Sequence, residues 1–176
     1  MSVWYSKADE ELVATIKEVM KKHHEDKHIE GVTVDCLLAH TDRIDGTAIK
    51  SRGTYALAYI RITSLMERVM GMADALMIID HASMQLWKEN RLRAVIDHEL
   101  EHIQLIREKK NNQPRRDDHD RPMLGIKQHD YQFGWFEAPV KHYGYDAVEY
   151  DQAQQLVNVA RWIPQTLPGF DVGGAA

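Results

Sequence analysis

Two histidines, His98 and His102, stand four residues apart inside a stretch, residues 83–109, that contains neither glycine nor proline. Leu92, Val95, Ile96, Leu100, Ile103 and Ile106 recur through it at three- and four-residue steps, the spacing of one helical face. The stretch therefore predicts a long helix over 83–109. Residues four apart on a helix project from the same side, one turn from each other. The chain must build a core that receives the apolar stripe while leaving both imidazoles on a common side.

The residues between the histidines complete the pattern His98-Glu99-Leu100-Glu101-His102, an HExxH motif. Two imidazole nitrogens one turn apart can meet one zinc ion at about 2.0–2.1 Å each. Glu99 follows the first histidine and can reach a water bound to the metal rather than the metal itself. Zinc brings such a water towards a pKa of roughly 7, and a carboxylate in that place serves as general base and then general acid. A surface helix with two unremarked polar histidines would not need Val95, Ile96, Leu100 and Ile103 around them. Glu101 is more polar than expected beside the second histidine and is read as pointing to solvent.

A catalytic zinc site usually has three protein ligands and one open position. The third ligand must come from outside the motif. His119, His129, Asp130 and Glu137 are downstream candidates, and His81 is an upstream one. His129 leads, because it follows a long polar segment and directly precedes a predicted helix. His119 lies in DDHDRP, which reads as a solvated turn. Glu137 would project from a helix, and His81 ends a strand candidate.

The rest of the chain sets the frame. Its 176 residues suit one domain over 1–165, with a loose Pro/Gly-rich tail over 166–176. With 44% hydrophobic and 28% charged residues the composition is globular. The formal charge of −5 argues against a nucleic-acid binder. No apolar run is long enough for a membrane span, and the opening MSVWYSKADEE lacks the apolar core of a signal peptide. The single cysteine, Cys36, excludes an internal disulfide and reads as a core residue of a strand. A cytoplasmic protein is expected.

The pattern predicts an amphipathic helix over 6–25 capped by Ser6, and strands over about 32–40, 54–63 and 75–80. A short helical turn ends at Gly71. A polar loop spans 110–128, and helices cover 130–142, with Asp130 as a cap, and 147–162. Strands grouped before helices indicate an α+β fold with a small sheet of about three strands against the long helix. His23, His24 and His28 read as a solvated helix end rather than a second metal site. Asp97 reads as exposed. Tyr131, His142, Tyr143 and Tyr145 lie near the leading third ligand and read individually as packing residues.

ALMIIDHASMQLWKENRLRAVIDHELEHI, residues 75–103, resembles the phage-type metallopeptidase family of the zincin class. That family shows a strand, a Trp, and a helix entering HELxHI, and Trp87, Arg91, Ala94 and His98-Glu99-Leu100 take those places. HDYQFGWFEAPVKHYG, residues 129–144, is similar to the family's second motif, with His129, Asp130 and Tyr143-Gly144 matching and a cluster from Phe133 to Phe136 in place of one Phe. The likeness covers about residues 30–145. It implies a zincin-like α+β domain, one zinc ion, His129 as third ligand, and a phage protein of the host cytoplasm.

The expectation is a zinc-dependent metallohydrolase, foremost a peptidase acting on a peptide or protein. His98, His102 and His129 would hold zinc, Glu99 would be the base, and strand 75–81 would be the wall against which an extended peptide pairs. The alternative is a zinc-stabilised protein-binding module without turnover, with its fourth metal position closed by a protein ligand.

Overall fold

A computed structural model of the chain describes residues 2–43, 47–51, 54–129 and 136–154. The elements are β1 (Val3–Lys7), α1 (Glu10–His23), α2 (Glu25–Ile29), β2 (Val34–Thr41), β3 (Lys50–Ser51), β4 (Thr54–Tyr55), β5 (Ala58–Ile62) and α3 (Leu65–Val69). They continue with β6 (Ala75–Asp80), α4 (His81–Met84), α5 (Glu89–Glu101), β7 (Ile103–Leu105), β8 (Leu124–Ile126) and α6 (Glu137–Tyr143). A 3-10 turn, Gly144–Asp146, leads to helical residues 148–154.

The architecture is α+β. Its main sheet has four strands in the order β1-β2-β6-β5, one more than expected. β2 and β6 run parallel, with Cys36 opposite Met77, and the outer pairs are antiparallel. All six residues of β6 are buried, because both faces of the sheet are covered there. Ala75, Met77 and Ile79 point to a core shared with Leu12, Ile16 and Val19 of α1 and Val95, Ile96 and Leu100 of α5. Leu76 and Ile78 face Ile49 and Ala39 on the other side. Two-sided burial replaces alternation with a continuous apolar run.

Several expectations are corrected. Ser6 does not cap the first helix. It lies in β1, and Asp9 caps α1 by accepting from the Leu12 N–H at 2.8 Å. The strand expected over 54–63 is broken into β4 and β5. The long helix is shorter at both ends. α4 and a turn precede α5, and α5 ends at its C-cap His102. Ile103 and Leu105 are buried while Gln104 between them is exposed, so the last part of the apolar stripe belongs to a strand of period two.

The segment expected to be a loop over 110–128 is the outer part of a hairpin arm. β7 and β8 form its base, and beyond them the chain makes two separate turns, closed by the bridges Arg107–Pro114 and Arg116–Pro122. Arg121 fastens the arm to the sheet: its Nε donates to the fully buried Asp74 at 2.9 Å. Asp74 also accepts from the Thr33 N–H at 2.8 Å and the Thr33 hydroxyl at 2.7 Å. α6 starts at Glu137, and Gly144 ends it with φ +53°, a left-handed conformation that glycine adopts without strain. The cap expected from Asp130 lies outside the described residues, as does most of the helix expected over 147–162 and the whole tail over 166–176. No helix among the described residues is long and apolar enough to cross a membrane.

Candidate metal centre

α5 presents His98 and His102 one turn apart, and the return strand of the arm brings in His129. The link is local. The Lys127 N–H donates to the His102 carbonyl at 2.7 Å, and the His102 Nδ1–H donates back to the Lys127 carbonyl at 2.9 Å. This reciprocal pair fixes the chain two residues before His129. One ligand atom from each of His98, His102 and His129 then lies within 4.8 Å of the others. The Nε2 atoms of His98 and His129 are 3.4 Å apart, close to the roughly 3.3 Å between ligand atoms around a tetrahedral ion with bonds of about 2.0 Å.

The outer nitrogens are tied up in a way that sets the tautomers. A backbone carbonyl only accepts, so His102 carries its proton on Nδ1 and keeps a lone pair on Nε2. Burial also pulls the His102 imidazole down to about 4, so it is neutral at ordinary pH. His98 donates from Nδ1 to Glu149 Oε1 at 2.6 Å. Burial opposes a charge on His98, but the Glu149 bond and the charges of Glu99, Glu149 and Asp97 outweigh it and hold its pKa above the usual value. An ion at Nε2 would displace the imidazolium proton from that nitrogen and leave the Nδ1–H on Glu149.

Glu149 was not visible in the sequence. It is 1% exposed, lies in the helical stretch 148–154, and reaches His98 across 51 residues of chain. Arg91 holds that stretch in place, donating to the Ala147 carbonyl at 2.9 Å and to Asp151 at 2.6 Å. Phe136 is fully buried, and its ring meets all three imidazoles with centroids 4.8–4.9 Å away. The sequence marked an aromatic cluster there without saying which member mattered.

Glu99 is 6% exposed and faces a cleft of about 510 Å³ that His98, His102 and His129 also line. Burial pushes its carboxyl up to about 7, against the pull of His98 and the Ile60 backbone N–H. The opposite wall runs through Tyr55, Ala56, Leu57 and β5. The strand expected to be that wall, 75–81, is interior instead: β6 is hydrogen-bonded to β2 on one side and β5 on the other. β5 is the edge strand among the described residues, and its outer backbone groups, apart from the Ile60 N–H that Glu99 holds, can take a further strand.

The other candidates for a third ligand lie elsewhere. His81 opens α4 with its ring 4.4 Å from that of His40. His119 sits in an Asp117–Asp120 turn, its N–H donating to Asp117. Glu137 pairs with Lys141 on the exposed side of α6. Asp130, and Tyr131 with it, fall outside the described residues. Asp97 is fully buried rather than exposed, and it accepts from His24 and His142 at 2.7 Å each.

An α+β sheet backed by an HExxH helix, with three imidazoles meeting at a cleft, is the arrangement of a small metallopeptidase-like domain. The sequence model of a family described as "Putative phage metallopeptidase" matches residues 4–161, and the chain belongs to that family. No curated protein and no solved structure matches it. Membership implies a metal, and the three-histidine cluster is chemically fit to hold one.

Proposed function

We propose that the protein is a zinc-dependent peptidase whose ion is held by His98, His102 and His129. The observation that carries this reading is the convergence of three imidazoles, two of them with their outer nitrogens held by Glu149 and the Lys127 carbonyl, beside a buried carboxylate in an open cleft. Nitrogen donors with room for one more ligand favour zinc over the hard cations. The ion, when bound, supplies Lewis acidity towards a carbonyl and makes a water acidic at neutral pH. Glu99 takes the proton of the attacking water and hands it to the leaving amine. A carboxyl held at about 7 is suited to both transfers. β5 offers the outer backbone groups that Glu99 does not hold to an extended peptide, which would lay the scissile bond across the cleft. Among the described residues no fourth ligating side chain joins the three histidines, which favours turnover over a closed, purely binding zinc site.

The test is zinc content per chain by elemental analysis. A loss of about one equivalent between the parent and His129→Ala supports the assignment. Unchanged zinc there would move the third ligand elsewhere. Glu149 then acts by orienting His98 and raising its basicity. Glu149→Gln is expected to weaken zinc binding by about 10–100-fold, read by competition with a chromogenic chelator. Parental affinity would show that the His98–Glu149 bond does not serve the metal.

A further inference from the structure

A second gathering of imidazole and carboxylate lies outside the cleft, where α1, α5 and α6 meet. His23 ends α1, Asp97 lies in α5, and His142 lies in α6. One ligand atom from each is within 4.8 Å of the others. The Asp97 carboxylate is fully buried. Its Oδ2 accepts from His142 Nδ1–H and its Oδ1 from His24 Nε2–H, both at 2.7 Å. Lys27 Nζ donates to His24 Nδ1 at 3.0 Å, which keeps the His24 proton on Nε2. The His23 ring stacks on the His142 ring at 3.8 Å, and His23 Nε2 is enclosed with no hydrogen-bond partner among the described residues.

A buried ring nitrogen without a partner among the described residues has lost its water and gained nothing in return. We propose that His23, Asp97 and His142 form a second divalent-cation site of the zinc class, structural in role, that pins α1 and α6 to α5 one residue before His98. Two imidazoles and one carboxylate suit zinc and not magnesium or calcium, which take all-oxygen shells. His24 occupies the carboxylate's other oxygen, the support that metal-bound carboxylates usually have. The His142 side chain is 28% exposed and leaves a path for the ion and room for a water as fourth ligand. Binding releases the His142 Nδ1 proton to solvent. The two rings are now stacked rather than convergent, and closing the site turns them about χ2, which is a soft torsion for histidine. None of the three residues lines the cleft, so this site and the proposed active site can be filled or lost separately.

The experiment strips the full-length protein with chelator, dialyses it against Zn²⁺, and counts zinc per chain in the parent, His129→Ala and His23→Phe. Phenylalanine keeps a ring on His142 and removes the ligand nitrogen. Two zinc ions are expected in the parent, one in each variant and none in the double variant. Zinc should raise the melting temperature of His129→Ala through the site that remains. A His23→Phe protein that binds as much zinc as the parent overturns the proposal. One ion in the parent that is lost in His23→Phe and kept in His129→Ala upholds it and sinks the proposed active site instead. If His23→Phe does not fold, His142→Gln is read in the same way.

Discussion

The Glu99→Gln variant should keep its zinc and lose peptide hydrolysis by about 10²–10⁴-fold, the usual contribution of a positioned general acid–base. The amide has nearly the shape of the carboxylate but cannot take a proton from water. Glu99 is not among the nitrogen ligands, so zinc content should match the parent. The fold should not suffer either. Burial raises the Glu99 carboxyl to about 7, above its unfolded value of about 4.5. Ionisation therefore penalises the folded state increasingly from about pH 4.5 to pH 7, and fully above that. Glutamine removes the penalty. Measured without metal at pH 8, the variant should melt at or above the temperature of the parent. The assay compares cleavage of a peptide library by mass spectrometry, with both proteins loaded with zinc. Cleavage at the parental rate would remove Glu99 from the mechanism.

Phe136→Ala should be the most damaging single truncation near the site. The side chain is fully buried and touches the rings of His98, His102 and His129. Loss of such a ring costs about 3–5 kcal/mol in a core that cannot collapse around the gap. For a chain of this size that is a fall of roughly 10 °C in melting temperature. Zinc affinity should fall as well, because the three imidazoles lose the surface that holds their rotamers. Phe136→Leu refills most of the volume and should recover most of both. A variant with the parent's melting temperature and zinc affinity would show that the ring is not a support for the cluster.

The parts of this fold that were legible in the sequence share a cause. β6 and the middle of α5 are bound to the core on all or one well-defined side, and burial wrote itself into their residues. The four-residue step of His98 and His102 needs only local geometry, so it could be read without the fold. β1 was missed because all five of its residues are exposed, leaving no alternation to detect. The end of α5 was misjudged because Ile103 and Ile106 continue a helical spacing just as well as Ile103 and Leu105 begin a strand. Asp97 and Glu149 escaped for a different reason. Their partners are 45 to 73 residues away, and a single buried carboxylate carries no pattern of its own.

The reciprocal bonds between His102 and Lys127 make the hairpin arm modular. Both sides of the arm are anchored at its base, by the β7–β8 pairing and by this backbone clasp. Whatever the chain does beyond the Arg107–Pro114 bridge, His129 emerges from the same place. The outer turn, where Asn112 takes a φ of 58°, is thus free to lengthen, shorten or change its charge at small entropic cost. A change of length or charge at that turn leaves the chemistry at the root of the arm as it was.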